Sequence, residues 1–292
     1  MEGILWGLLG ALLIGASDCI ARVTSRKVSV SILFLMIMGL SLVVLTAWLG
    51  INSNWPPWHP QAWAASAASG LLNLVALYFL YAALARGPVT VASPTASTFT
   101  VLLVGLNIVA GEPWSWLQIV ALCIVFLGVA MLARPAAPDK VQNYDAQWLR
   151  GTAAYALAAA MAVSLRMFLA QEAGADLGAM HALYLNRVFA LIGAIALVGY
   201  ALLKSNALSW PRGSMRYLVI LQAVFETAAL GAFLIGSVGG GRIAATIGFS
   251  AFAAATSVFA WLWLKESIGW QRGIWILIVG IGVTLATLGS PH

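Results

Sequence analysis

Two short stretches, GLNIVAGEPWSWLQ at 105–118 and FAWLWLKESIGWQR at 259–272, resemble each other and decide the fold. In each stretch a glutamate and neighbouring polar residues interrupt almost purely apolar sequence, as expected where two membrane-spanning helices are joined. The aligned pairs, each 154 residues apart, are Glu112 with Glu266, Trp116 with Trp270 and Gly128 with Gly282. We therefore predict two copies of one membrane hairpin that face opposite ways.

The composition of the whole chain requires a lipid environment. Of its 292 residues, 62% are hydrophobic and only 8% are charged, and the mean hydropathy is +0.95. Soluble domains carry about 25% charged residues, so a water-soluble fold is excluded. Apolar runs of about 20 residues indicate membrane-spanning helices, because barrel strands are shorter and alternate in polarity. The net charge of +6 does not indicate nucleic-acid binding, because basic residues gather on the cytoplasmic side of membrane proteins.

Hydropathy and helix breakers divide the chain into ten predicted spans. The breaks include NSNWPPWHP at 52–60, since proline removes a backbone donor and ends a helix. The predicted fold is an all-α membrane protein with ten transmembrane helices, arranged as two inverted five-helix repeats around a central cavity. The predicted spans are 3–22, 29–50, 62–85, 89–110, 114–133, 148–170, 178–203, 215–238, 242–264 and 268–288.

Basic residues fix the predicted orientation. Twelve of the 15 lysines and arginines fall in connections after odd-numbered spans. By the positive-inside rule, the polar linker 134–147 is cytoplasmic and both termini are periplasmic. These twelve are Arg22, Arg26, Lys27, Arg86, Arg134, Lys140, Arg150, Lys204, Arg212, Arg216, Lys265 and Arg272.

The internal repeat predicts the domain organisation independently of the charges. At the 154-residue offset, the sequences of spans three to five align with those of spans eight to ten. At an offset of 144, Gly7 aligns with Gly151 and Arg22 with Arg166. Because each copy has an odd number of spans, the second copy is inverted. We predict repeats at 1–133 and 148–292, joined by the linker 134–147. Inverted repeats are typical of secondary transporters with a binding site near the midplane.

The sequence AALARGPVTVASPTASTFTVLLVGLNIVAGEP, followed by LQIVALCIVFLGVAML, resembles the EamA-type repeat of the drug/metabolite transporter superfamily. GGGRIAATIGFSAFAAATSVFAWLWLKES, followed by GWQRGIWILIVGIGVTLA, resembles it again. Lys265 departs from the family's Gly-Glu turn, and Pro94 only loosely matches the family's usual proline in span four. Size and layout are similar to the YddG-type amino-acid exporters of that family. The resemblance implies a bacterial inner-membrane exporter of small metabolites.

Charged residues inside apolar runs are the first candidates for function. Arg187 and Glu226 lie deep in spans seven and eight, where a charge costs at least about 2.5–3.5 kcal/mol and needs a partner or a cavity. They either pair and hold two helices together, or act in transport. In transport, Arg187 or Arg166 would attract a substrate carboxylate and Glu226 would take up a proton. Asp18 is expected to pair with Arg22, one turn away.

Glu112 and Glu266 have two interpretations. Each is predicted at the start of a helix, where a carboxylate favours the positive end of the helix dipole. The alternative is a gate in which the glutamate pairs with a lysine or arginine of the other half.

Polar and aromatic residues at helical spacing form stripes on spans three, four and nine, and Met161 of span six is placed opposite the tyrosines of span three. Such stripes serve either helix packing or the lining of a cavity. As cavity lining, tyrosines would cover apolar parts of an amphipathic metabolite and hydroxyls would bond its polar ends. The predicted cavity residues are Asn73, Tyr78, Tyr81, Ser93, Pro94, Ser97, Met161, Thr246 and Ser250.

No pattern indicates catalysis, a metal or a cofactor. The three histidines and two cysteines are not at metal-ligand spacing, and no nucleotide-binding or hydrolase motif occurs. We therefore predict a transporter without cofactors, expected to be a monomer, that exports amino acids, including aromatic and apolar ones, by alternating access. The expected partners are the substrate, membrane lipid and coupled protons. The alternatives are an exporter of drugs or nucleotide- or sugar-type metabolites, a multispan membrane enzyme, or a channel-like uniporter.

Overall fold

The computed structural model describes residues 2–86, 89–132, 145–204, 208–264 and 270–288, without the side chains of residues 89, 90, 93, 94, 264, 272 and 287. Within these ranges the chain forms twelve α-helices. They are α1 (Glu2–Thr24), α2 (Val30–Asn52), α3 (Pro60–Arg86), α4 (Val89–Ala96), α5 (Phe99–Val109), α6 (Trp116–Leu132), α7 (Ala146–Leu177), α8 (Ala179–Leu203), α9 (Met215–Ser237), α10 (Arg242–Ser250), α11 (Phe252–Leu264) and α12 (Trp270–Leu288).

The architecture is that of an integral membrane protein, which confirms the predicted all-α membrane fold. Seven segments of the described chain are long and apolar enough to cross a bilayer: α1, α2, α3, α7, α8, α9 and residues 242–263. Shorter apolar helices cover 99–109, 116–132 and 273–286. The predicted linker 134–147 lies outside the described residues except for 145–147, and α7 already begins at Ala146.

Spans four and nine are each divided into two helices, whereas the sequence predicted single spans at 89–110 and 242–264. The first break separates Ala96 from Phe99, and the second lies at Ala251, 154 residues after Ser97. Hydroxyl groups donate to backbone carbonyls on both sides of the first break. Thr98 donates to the Thr95 carbonyl at 2.7 Å, and Ser164 donates to the Phe99 carbonyl at 2.8 Å.

Helix α7 is longer than the predicted span 148–170. It continues to Leu177 and ends at Gly178, whose φ of 85° lies in the left-handed region. The prediction ended too early because the last two turns contain Gln171, Glu172 and Asp176, which lower the local hydropathy. These polar residues become important at one end of the bundle, as described below.

The two halves pack through equivalent sets of helices. Helix α1 contacts α9, α10 and α11 of the second half, and its counterpart α7 contacts α3, α4 and α5 of the first half. Similarly, α2 packs on α8 and α9, and α8 packs on α2 and α3. Exchanging the halves therefore reproduces the same pattern of contacts.

Glycines permit the closest crossings between halves. At the contact of α6 with α12, a Cβ on Gly128 would lie 2.6 Å from a methyl of Val279, and one on Gly282 would lie 2.7 Å from a methyl of Val125. These two glycines are the pair that the repeat aligned. Where α1 crosses α10, a Cβ on Gly7 would lie only 2.3 Å from the Ala245 carbonyl oxygen.

The two helix breaks meet at the centre of the bundle. Phe99 begins α5 and Phe252 begins α11, and their ring centroids are 6.0 Å apart. Phe249 and Phe233 extend this aromatic contact, with centroids 5.1 Å apart. We call these four rings the aromatic floor, because two of them, Phe99 and Phe252, line the cavity described below.

Candidate functional site

A cavity of about 380 Å³ opens beside the two helix breaks. Its lining residues come from both halves of the chain: α1, α3, the α4–α5 break, α6, α7 and α11. Most are apolar, and the polar groups among them are Asp18, Ser97, Thr256 and Ser257. The size is within the range of small-molecule sites, which are concave, largely apolar and provided with a few polar groups.

Arg187 and Glu226 form an ion pair inside the bundle. Nη1 of Arg187 lies 3.4 Å from Oε1 of Glu226 and 3.1 Å from the sulfur of Met38. The Arg187 side chain is 1% exposed, whereas that of Glu226 is 26% exposed. The pair joins α8 to α9, so the structural interpretation made from the sequence, a bond between two helices, describes at least part of its role.

Asp18 and Arg166 extend the pair into a four-residue cluster, called here the central charge cluster. Asp18 accepts a hydrogen bond from Thr256 at 3.2 Å, across the two halves, and interacts electrostatically with Glu226. Arg166 interacts electrostatically with both Arg187 and Glu226. Asp18 also lines the cavity, whereas Arg166, Arg187 and Glu226 are not among its lining residues. This cross-half contact was not expected, because the sequence predicted only a local pair of Asp18 with Arg22.

Several guanidinium nitrogens of the cluster are buried without a hydrogen-bond partner among the described residues. They are Nε of Arg166 and both Nε and Nη2 of Arg187. Buried donors are almost always satisfied, because leaving one unpaired costs about 1–3 kcal/mol, or more for a charged group. These nitrogens are therefore suited to bind a further acceptor, such as a carboxylate.

A second charged group, called here the Arg242 network, lies at the end of the bundle where α1 and α10 begin. The Arg242 side chain is 14% exposed and forms ion pairs with Glu112, 3.9 Å from Nε to Oε2, and with Glu172. The backbone nitrogen of Arg242 also donates to Glu112 at 3.1 Å. The network thus joins the α5–α6 connection of the first half to α7 and α10 of the second.

Uncharged hydrogen bonds extend this network towards the centre. Nδ2 of Asn107 donates to Gln171 at 3.0 Å, and Nε2 of Gln171 donates to Ser237 at 3.0 Å. Thr246 donates to the Arg242 carbonyl at 2.8 Å. Together with the ion pairs of Arg242, these contacts join the two halves at this end of the bundle.

Glu112 does not cap α6, as one interpretation of the sequence expected. Helix α6 begins at Trp116, and its first turn is capped reciprocally by two other residues. Gln118 donates its backbone nitrogen to Ser115 at 3.2 Å, and Ser115 donates its own to the Gln118 side chain at 3.0 Å. Glu112 is therefore free to bind Arg242.

The predicted cavity residues are only partly brought together. Ser97 lines the cavity, whereas Asn73, Tyr78, Tyr81 and Met161 do not, and Met161 is 59% exposed. Two others are buried and bond within their own helix: Thr246 to the Arg242 carbonyl and Ser250 to the Ile247 carbonyl at 2.6 Å. The side chains of Ser93 and Pro94, and the whole of Glu266, lie outside the described residues.

Sequence reasoning missed Arg242, Glu172 and Thr256. Arg242 could have been noticed, because it lies on the predicted periplasmic side, where the positive-inside rule expects few basic residues. Glu172 lay beyond the predicted end of span six. Thr256 could not be found, since nothing in the sequence relates it to Asp18.

We expect the substitution Arg242→Gln to open the Arg242 end, because it leaves Glu112 and Glu172 without their cation. The reporter is Thr246→Cys in a background with Cys19 and Cys123 replaced by alanine. With Arg242→Gln, it would react with a membrane-impermeant maleimide about 10-fold faster than in the protein that keeps Arg242, the equivalent of about 1.4 kcal/mol. The matched control is Arg212→Gln, at an exposed arginine of the opposite end. Equal labelling rates in the two variants would show that the network does not close this end.

Comparison with known proteins relates the first part of the chain to a family of membrane transporters. Residues 1–134 match the model of the EamA-like transporter family. Over these residues the match agrees with the resemblance seen in the sequence, and the long apolar helices identify an integral membrane protein. The likeness to YddG-type exporters stays a prediction.

Solved structures share the whole architecture. Among 28 matching chains, one titled "Crystal structure of protein" aligns with a TM-score of 0.78 at 18% identity, over 98% of this chain and 96% of its own. At that identity the match shows the fold alone. No curated protein matches the sequence at the required significance.

Proposed function

We propose that this protein is a secondary transporter that moves amino acids, including aromatic and apolar ones, across the bacterial inner membrane by alternating access. The observation that supports this most directly is the central charge cluster beside the cavity. It combines two guanidinium groups, Arg166 and Arg187, with two carboxylates, Asp18 and Glu226, inside an otherwise apolar bundle. A zwitterion presents the complementary pair of charges.

The cluster would recognise the two ends of an amino acid separately. The unpartnered nitrogens of Arg166 and Arg187 suit the substrate carboxylate, since a guanidinium matches a carboxylate in a bidentate manner. Asp18, on the cavity wall, suits the substrate ammonium group. Phe99 and Phe252 would contact an apolar or aromatic side chain, which favours such amino acids among the candidates.

Alternating access is supported by two features of the helix packing. Spans four and nine are broken at equivalent positions, and exchanging the two halves reproduces the same helix contacts. Both features fit an inverted repeat whose halves rock around the centre. The Arg242 network joins the halves at one end, while the cavity lies on the other side of the aromatic floor. The Arg242 network would thus act as a gate at one end of the transport path, and the cavity would be the binding site farther along it.

The alternative substrates are distinguished by charge. A nucleotide-type metabolite brings several negative charges, whereas the described cluster offers two positive and two negative groups. A zwitterion therefore fits better than a polyanion. Export as the direction of transport rests on the family resemblance. Proton coupling through Glu226 rests on its position inside the bundle, where the side chain pairs with Arg187 and is still 26% exposed.

The test is counterflow of labelled substrates in proteoliposomes, with and without an imposed pH gradient. We expect exchange of apolar and aromatic amino acids and none of nucleotides or sugars. Failure of the folded protein to exchange any amino acid would contradict the proposal. A change in the substrate during exchange would instead indicate an enzyme, and conduction without saturation would indicate a channel.

The same assay decides the role of Glu226 through the substitution Glu226→Gln. If Glu226 carries the coupled proton, the variant keeps counterflow but loses the stimulation by the pH gradient. Uptake that ignores the gradient in the wild type and survives the substitution would make the protein a facilitator and Glu226 structural. Glu2→Gln, at an exposed glutamate, is the matched control.

A further inference from the structure

A continuous furrow runs along the outside of the bundle between α2 and α9. It consists of three adjoining cavities of about 680, 450 and 410 Å³. The first two share Trp210 and Pro211, and the second and third share Leu40 and Ile220. Between Arg216 and Ile235 on α9 the furrow follows about 28 Å of helix, at 1.5 Å per residue. We call this feature the α2–α9 furrow.

One end of the furrow is polar and basic. Lys27, from the α1–α2 connection, and Arg212, from the α8–α9 connection, line the same cavity, and Arg216 lines the next. All three are exposed, and the described lining residues of this end include no carboxylate. Hydrogen bonds fix the two connections together: the Ser29 nitrogen donates to the Ser209 carbonyl at 3.1 Å, and the Ser209 nitrogen donates to the Ser29 hydroxyl at 2.9 Å.

The rest of the furrow is apolar. Met36, Leu40 and Ile220 follow the basic end directly, and Val44 and Val224 lie beyond them. Its polar side chains are Ser41 and Thr227, which bond to each other and to the carbonyls of their own helices. At the far end the furrow is flanked by Trp6 and Trp48, residues typical of a membrane interface.

We propose that the α2–α9 furrow binds an anionic phospholipid. The phosphate would lie among Lys27, Arg212 and Arg216, and an acyl chain would follow Met36, Leu40 and Ile220 into the bilayer. Basic residues at the predicted cytoplasmic surface attract anionic headgroups, and here they line two adjoining cavities that continue as an apolar groove. This site is separate from the central charge cluster and does not depend on what is transported.

A lipid fits the furrow better than a second copy of this chain. The basic end requires an anionic partner, and the chain has only nine acidic residues against 15 basic ones. Four of those acids, Asp18, Glu112, Glu172 and Glu226, already form hydrogen bonds or ion pairs within the chain. The apolar part of the furrow is continuous through Leu40 and Ile220, so it can hold an extended acyl chain.

The test is native mass spectrometry of the detergent-solubilised protein mixed with equal amounts of phosphatidylglycerol and phosphatidylcholine. We expect the wild type to retain phosphatidylglycerol preferentially, and Lys27→Ala with Arg212→Ala to lower that preference about 10-fold, since each basic residue contributes to headgroup attraction. The matched control is Arg150→Ala with Lys204→Ala, two exposed basic residues at the same end of the bundle.

A second variant tests the apolar part of the furrow. Val224→Trp would fill the groove and lower retention of both lipids, whereas Val43→Trp, at an exposed valine of α2 outside the furrow, would not. Equal retention of phosphatidylglycerol by the wild type and the Lys27/Arg212 variant would overturn the proposal. So would a lipid-free dimer that the Val224→Trp substitution dissociates, because a second copy would then be the occupant.

Discussion

Replacing Arg187 with methionine is expected to lower amino-acid counterflow about 100-fold or more. The substitution keeps an unbranched side chain next to Met38 but removes the cation of a buried pair. If Arg187 binds the substrate carboxylate, removing its guanidinium costs about 2–5 kcal/mol of binding, and each 1.4 kcal/mol is a factor of ten. Counterflow in proteoliposomes measures the effect, and Arg150→Met, at an exposed arginine on α7, is the matched control.

A double variant separates a structural role of Arg187 from substrate binding. Combining Arg187→Met with Glu226→Gln removes both charges, so no unpaired carboxylate remains in the interior. If Arg187 only neutralises Glu226, the double variant recovers both thermal stability and counterflow. If Arg187 binds the substrate carboxylate, stability recovers and counterflow does not. Wild-type transport by the single variant would exclude Arg187 from the mechanism altogether.

The second large effect is expected from Gly7→Val, a substitution at the crossing of α1 and α10. A Cβ at this position would lie 2.3 Å from the Ala245 carbonyl oxygen and 3.0 Å from the Phe249 nitrogen, both backbone atoms that cannot rotate away. Helices α1 and α10 must therefore separate, and overpacking of this kind costs about 1–3 kcal/mol or more. For a chain of this size we expect the melting temperature in detergent to fall by about 5–10 °C.

The control for this prediction is Gly105→Val on α5. Gly105 is exposed, and a Cβ there would meet no atom within 4 Å. The same change of residue should therefore leave the melting temperature nearly unchanged, within about 2 °C. Equal losses in the two variants would show that helix propensity, and not the α1–α10 crossing, governs the response.

The spans could be predicted from sequence because each helix forms its backbone hydrogen bonds within itself inside the bilayer. Length and hydropathy alone then locate it, and α2 and α9 begin and end within two residues of the predicted limits. Where polar residues lie within a helix, the same rule failed. Span six ended too early at Gln171 and Glu172, although the helix continues to Leu177.

The faces of the helices were much harder to predict than their positions. In a soluble helix the apolar stripe marks the interior, but these helices are apolar all round, so lipid and protein faces look alike. Tyr78 and Met161 were therefore predicted to line the cavity, whereas they are 67% and 59% exposed and do not line it. Charged residues were a better guide, since a charge is excluded from lipid whatever its helix. Arg187 was thereby recognised as a candidate from the sequence alone.

The membrane environment, the helical architecture and the candidates Arg187 and Glu226 could all be derived from the amino-acid sequence. Each follows from a local rule, the solubility of a segment or of one side chain in hydrocarbon. The contacts of Glu112 with Arg242 and of Asp18 with Thr256, and the breaks at Ser97 and Ala251, became visible in the folded chain alone. These contacts join residues far apart in the chain, and they depend on how each helix is rotated and packed against its neighbours.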